Sequence, residues 1–231
     1  MSTKTFDLSQ FSKSIKEVAA AKNLVLPIEE CIGARSQAQD LRTVDLYLSE
    51  ILRIDGGDVE HAGVWGGSLF MSAVVMYARG VDTTGTRKRV DVVSALNQDL
   101  NKKHRHILSV RDKVMAHFVG RASSGGFKWI DEIGYIRETD GQPPTRTALA
   151  FKRANYLARE VNELQELLAV VWPFVQAEIE KRDEAMLAML KHYRTNADIE
   201  RKLQASEVDL AGWLDAESGT IEGTFYVRVA S

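Results

Sequence analysis

The sequence predicts a mainly α fold: an antiparallel helical bundle of about four long helices, with a small loop or hairpin insertion and an appended C-terminal segment. Three observations predict it. Apolar residues recur at three- and four-residue steps over residues 34–54, 90–118 and 148–191, the period of one helix face. The longest uncharged run, Ala62 to Ala78 (AGVWGGSLFMSAVVMYA), carries three glycines and two serines. It is slightly short for a membrane span and reads as the buried central helix of a bundle. Short stretches rich in glycine or proline separate these segments, and loops of modest length suit helices that pack as antiparallel neighbours.

Each element has a local reason. Residues 8–22 fit a short amphipathic helix with Asp7 as N-cap, and Pro27 is expected to end the segment that follows. Residues 34–54 place Leu41, Val44, Leu48 and Ile51 on one side, and the DGGD of 55–58 stops that helix, because paired glycines are poor helix interior. The second core helix covers about 63–79. After the loop GVDTTGTRKR, a third helix runs from about 90 to 118, with Gly120 as terminator.

Between 121 and 147 the pattern changes. FKWIDEIGYIRE holds β-branched and aromatic residues at short range and DGQPP is turn chemistry, so this stretch reads as a loop or small hairpin. Helix resumes near 148 and continues to about 191, with Phe151, Ala154, Leu157, Val161, Leu164, Leu168 and Val171 in its stripe. Pro173 predicts a kink or restart within it. In the tail, 196–204 and 207–216 fit short helices, with Ser206 and Asp209 resembling a capping box. GTFYVRVAS at 223–231 alternates like a strand.

Composition narrows the function classes. Of 231 residues, 45% are apolar, enough for a sizeable core in one domain with additions or in two small domains. The single cysteine, Cys31, forms no internal disulfide, fits a reducing compartment and rules out a Cys-based zinc site within one chain. The N-terminal stretch carries charges every few residues and no apolar core, unlike a secretory signal. These features predict a cytoplasmic protein without a membrane span. There is no phosphate-binding Gly-x-x-x-x-Gly-Lys-Ser/Thr loop and no dinucleotide fingerprint. The tryptophans and the Met186/Met189 pair read as packing residues.

Charge is unevenly spread. From Arg79 to Arg121 there are ten Lys/Arg against four Asp, a net +6, which leaves −8 for the rest of a chain whose total is −2. Such clustering alone reads as a solvated face paired with acidic neighbours. The alternative is a basic patch that steers a polyanion to one place.

The third helix, HRHILSVRDKVMAHF at 104–118, poses the chemical question. At about 100° per residue with Val114 at the origin, Ile107, Val110 and Phe118 fall within about 40° of it. On the same projection Arg111 falls at about 60°, His117 at about −60° and His104 at about 80°, so all three flank the stripe that should be dry. A lone histidine on such a face is most simply a satisfied core residue. A buried guanidinium, however, needs several hydrogen bonds and a counter-charge. Asp112 projects at about 160°, on the far side, and is not expected to supply it. Either acids from another helix enter the core, or this face opens into a cleft or a subunit interface; the cleft explains all three residues together. His104 and His106 diverge by about 160° and do not share a metal site.

The segment RDKVMAH, Arg111 to His117, resembles the Arg-x(4–6)-His motif of the HEPN superfamily (higher eukaryotes and prokaryotes nucleotide-binding), in which a polar residue such as Asp112 commonly follows the arginine. The context is similar too: an apolar helix ending in Tyr77-Ala78-Arg79, a basic linker, then the histidine-bearing helix. The resemblance covers roughly residues 38–180. It implies an extension at 1–33, a HEPN-like bundle at 34–191 with an insertion at 121–147, and an appendage at 192–231. It implies a homodimer in which two motif helices face each other and the paired Arg and His line one cleft. That cleft cuts RNA without a metal or other cofactor, leaving a 2′,3′-cyclic phosphate and a 5′-hydroxyl.

In that reading His117 is general base or acid, Arg111 holds the scissile phosphate and Asp112 positions. Arg79 and His104 are accessory, and Arg87, Lys88, Arg89, Lys103 and Arg121 form an RNA-binding rim. One chain makes a poor Arg–His pair, because the rise between the two residues is about 9 Å and helical side chains lean toward the N-terminus. A two-fold axis supplies two of each. The expected interface includes helix 90–118 or its flanks. A toxin or phage-defence role, with an antitoxin protein as partner, rests on the resemblance. The alternatives are a non-catalytic HEPN module that binds RNA, nucleotide or a protein, and a helical interaction protein without a nucleic-acid role.

Overall fold

A computed structural model describes residues 4–55, 62–82, 85–115, 121–124, 126–139 and 142–209. The fold is mainly α. Six α-helices follow in order: α1 (Leu8–Ile15), α2 (Lys22–Asp55), α3 (Ala62–Val81), α4 (Gln98–Val110), α5 (Ala158–Tyr193) and α6 (Ala197–Gln204). Between α4 and α5 lie three strands, β1 (Arg121–Ser124), β2 (Phe127–Thr139) and β3 (Gln142–Arg153), in one antiparallel sheet of order β1-β2-β3.

The chain divides into two compact units. One holds the described residues of Met1–Ile32 and Lys181–Ser231, the other Gly33–Glu180. The N-terminal and C-terminal segments, read in the sequence as separate additions, therefore belong to one unit together with the end of α5. In that unit Phe11, Ile15, Leu24, Ile28, Met186, Ile199 and Leu203 form the core. Asp7 caps α1 as expected, its Oδ1 accepting from the backbone N–H of Ser9 at 2.7 Å and of Gln10 at 3.0 Å. The helix ends at Ile15, short of the expected 22, and α2 begins at Lys22.

Pro27 does not end that segment. It lies in the second turn of α2, where it forfeits a single backbone bond. The Ser206 capping box is also corrected: its hydroxyl donates back to the Lys202 carbonyl at 3.0 Å. Glu207 instead makes an antiparallel bridge with Phe6. The proposed strand at 223–231 and most of the helix at 207–216 lie outside the described residues.

The second unit carries the larger core. Leu41, Val44, Leu48 and Ile51 of α2 are buried against Phe70, Val74 and Tyr77 of α3, Ile107 and Val110 of α4, and Val161, Leu164, Leu168 and Val171 of α5. The expected apolar stripes are thus the ones that pack. The segment 121–157 departs from expectation. Phe151 lies in β3 and Ala154 in the connection that follows, so α5 starts ten residues later than its apolar period suggests. β2 pairs with β3 from Ile130 opposite Arg153 to Thr139 opposite Gln142, a long ribbon where the sequence suggests a loop or small hairpin. Gly126, at φ 79°, makes the turn between β1 and β2.

Trp129 anchors the sheet to the helices. It is fully buried and stacks on Phe70, with ring centroids 6.0 Å apart. The connection into α5 packs on α3 where glycine leaves room: a Cβ on Gly66 would come within 2.5 Å of the Tyr156 ring. α5 passes through Pro173 without ending. The carbonyl that Pro173 leaves free belongs to Ala169, which is solvent-exposed and can be served by water.

Gly33 has a comparable duty. A Cβ there would sit 2.4 Å from the Lys88 carbonyl oxygen. Because that neighbour is backbone, Gly33→Ala is expected to destabilise the protein by about 1–3 kcal/mol, read as a lower denaturation midpoint with an unchanged slope.

Candidate functional site

The motif helix begins with an Asn97 cap, whose Oδ1 accepts from the Leu100 N–H at 2.9 Å. It keeps α geometry to Val110, then widens into a π-turn over Arg111–Met115. π-Bulges are rare and often mark functional segments, and this one coincides with the first five residues of the motif. Arg111 is partly exposed and ion-pairs with its neighbour, its Nη2 2.6 Å and its Nε 2.7 Å from Asp112 Oδ1. This corrects the expectation that Asp112 is out of reach. A π-turn has more residues per turn than the α-helix used for the projection, and a long arginine can fold back on the next side chain. His117 lies outside the described residues.

His104 is a core histidine. It is buried, its Nδ1 lies 2.9 Å from the Tyr77 hydroxyl, and the two rings meet edge to face at 5.8 Å. Burial lowers its pKa, Arg105 adds to that effect, and Asp91 opposes it. The neutral imidazole is therefore favoured in the fold.

The basic residues named as accessory or rim have local partners. Asp40 of α2 is 1% exposed and is the counter-charge for two of them. Arg79 donates to it through Nε at 3.0 Å and also through Nη2, and Arg87 Nη1 stands 3.8 Å away. Arg87 also donates to the Ser36 hydroxyl at 2.8 Å. The neighbouring Gln37 is fully buried and reads one residue of the same loop twice. Its amide nitrogen donates to the Val90 carbonyl at 3.0 Å, and its oxygen accepts from the Val90 N–H at 2.8 Å. Gly33, Ser36, Gln37 and Asp40 are three or four residues apart on α2, so one helix face grips the basic linker.

Arg89 donates to the Asp82 carbonyl, and Lys88 is exposed. Lys103 is bound to Asp99 at 2.7 Å and Glu166 at 2.5 Å, which raise its pKa. Arg121 stands opposite Asp131 in the β1–β2 register. The structure thus brings Arg79 and Arg87 together at Asp40, places His104 on Tyr77, and leaves Arg111 with Asp112 in the π-turn.

One cluster escaped the sequence reading. Glu160, fully buried in the first turn of α5, accepts from Arg159, and its Oε1 lies 2.9 Å from His106 Nε2. Glu163 Oε2 lies 3.7 Å from the same ring nitrogen. Acids from another helix do enter the α4 side of the core, but they meet His106 rather than Arg111. The signal was present: Lys103 and His106 are three apart on α4, as are Glu160, Glu163 and Glu166 on α5. Starting α5 at 148 hid it by turning the first helical turn into mid-helix. No group of three or more His, Cys, Asp or Glu among the described residues has the arrangement to hold a metal ion. No helix among them is long and apolar enough to cross a membrane.

Glu163 supplies a pH signature. Burial raises its pKa, His106 opposes that effect, and Glu160 adds to it. A carboxyl with a raised folded pKa contributes stability that is full below the unfolded value and lost as pH rises through the folded one. Glu163→Gln removes that loss. Its stability relative to the parent chain should increase from about pH 4.3, the ordinary glutamate value, toward neutrality, in denaturant titrations at several pH values.

Comparison with protein-family models, with curated proteins and with solved structures finds no significant match to this chain.

Proposed function

We infer that this protein is a HEPN-type, metal-independent endoribonuclease that acts as a homodimer with a composite cleft of Arg111 and His117 from both copies. The observation that carries the reading is the π-turn at Arg111–Met115. The helix departs from α geometry within the motif itself, and the motif arginine stays on the accessible side with an acid that can orient it. A core-forming helix has no packing reason for either feature. The helical setting agrees: an apolar helix ends at Tyr77 and Arg79, a basic linker is clamped to α2, and the motif follows.

The chemistry assigns each group a task. The 2′-hydroxyl of the ribose attacks the adjacent phosphorus, and the 5′-oxygen leaves. His117 takes the hydroxyl proton or supplies one to the leaving oxygen. Arg111 turns its fork from Asp112 to the phosphate oxygens and offsets the charge that grows there. Asp112 holds the guanidinium ready until RNA replaces it.

The basic segment contributes a field more than free hands. Arg79 and Arg87 are already paired to Asp40, and Lys103 to two acids. Exposed Lys102, Arg105 and Lys113 are the better candidates for direct phosphate contact. A role as toxin or phage-defence element, restrained by an antitoxin protein, extends this reading on resemblance alone.

His117→Ala is expected to abolish RNA cleavage, since no other group is assigned its proton transfer. Arg111→Ala is expected to lower cleavage by about 100-fold or more, the scale of removing one transition-state donor. Both should retain the parent circular dichroism spectrum. Equal cleavage by the parent chain and both variants would refute the assignment.

A further inference from the structure

β1 covers β2 only from Phe127 to Asp131. From Glu132 to Thr139, β2 has β3 on one side and no strand of the described residues on the other. The backbone N–H and C=O groups on that side form an open edge, which natural sheets normally blunt. β3 is blunted by Pro143 and Pro144 near its start. The open stretch of β2 has no such device. It presents Ile133 at 54%, Ile136 at 60% and Tyr135 at 38% exposure.

Gly134 stands in the middle of these residues. Glycine weakens a strand interior, and its usual reason is the close approach of another backbone or ligand. Here the fold supplies no such reason: a Cβ on Gly134 would meet nothing within 4 Å. The residue that leaves room is therefore leaving it for something outside the chain.

We propose that the open edge of β2 pairs with the same edge of a second copy, antiparallel, about a two-fold axis at Gly134. A two-fold axis perpendicular to an antiparallel pair brings a residue opposite its own copy and keeps each side chain on its face. With Gly134 at the axis, Ile133 faces Tyr135 of the other copy, twice, and Glu132 stands level with Ile136. The stretch Ile-Gly-Tyr reads apolar, glycine, apolar in both directions, which is the self-complementarity a two-fold edge demands and a different partner would not. Cross-strand pairs of an aromatic and a β-branched residue are among the stabilising ones. β1 packs against α4 and the π-turn, so this edge lies on the flank of the motif. The proposal goes beyond the ribonuclease reading and shares with it only the second copy, since strand pairing requires no cleavage.

The full chain carrying Gly134→Cys tests it, with Val75→Cys on the exposed face of α3 as control. Directly opposed residues in an antiparallel pair have Cα atoms about 4.5–5.5 Å apart, inside the disulfide range of about 4.4–6.8 Å. Mild oxidation should convert the Gly134→Cys chain to a covalent dimer and leave the control monomeric on a denaturing gel; Cys31 is buried in both. Gly134→Val should leave unfolding stability unchanged or raised, because the space is open, and should weaken self-association by about tenfold or more in sedimentation. A dimer in sedimentation with no Gly134→Cys cross-link would overturn the proposal and leave the ribonuclease homodimer standing. A monomer at tens of micromolar would overturn both. Loss of association on truncation after Asp209 would assign the edge to the C-terminal tail and overturn the proposal as well.

Discussion

The carboxylate of Asp40 is almost wholly removed from water, and the placement of the motif helix depends on it. A buried carboxylate alone costs several kcal/mol. Here two guanidinium groups meet it, one from the end of α3 and one from the linker that follows. Their outer faces remain half in water, so the arginines lose little hydration while the acid gains its counter-charge. This ties the C-terminal end of α3 to the middle of α2 and starts the linker along the same helix face. Gln37 and Gly33 complete the grip by fixing Val90 and admitting the Lys88 backbone. The chain then enters α4 from a fixed point, which determines where Arg111 emerges.

That arrangement changes the meaning of the basic segment. A net +6 over forty-three residues suggests a free cationic surface. In the fold, Arg79, Arg87 and Lys103 are each bound to acids that lie outside the segment or beside it. Their charges still contribute to the long-range field, yet their donors are engaged. Asp40 and Glu166 come from sequence positions 39 residues before Arg79 and 63 after Lys103, so no local reading of charge could reveal the pairing.

The helices were legible because burial imposes a period. Leu41, Val44, Leu48, Ile51, Ile107, Val110, Val161, Leu164 and Val171 all fall on predicted stripes and all are buried. The sheet was only half legible. Trp129 and Ile133 gave a strand signal, but TALAFKR reads equally well as the first turns of α5, and only pairing with β2 decides its state. At the site, sequence placed Arg111 beside the core stripe and His104 near it. It missed the π-turn, because one extra residue per turn leaves no mark in an apolar pattern. It missed the Glu160–His106 contact because that contact joins the starts of two helices whose relative register the sequence does not fix.

The central claim is that this scaffold presents an arginine and a histidine for metal-free transesterification of RNA. The most direct measurement is the end chemistry of RNA incubated with the purified chain in excess chelator. The account predicts fragments that end in a 2′,3′-cyclic phosphate and begin with a 5′-hydroxyl, in equal yield with and without chelator. Cleavage that requires added divalent metal, or fragments bearing a 5′-phosphate and a 3′-hydroxyl, would contradict it.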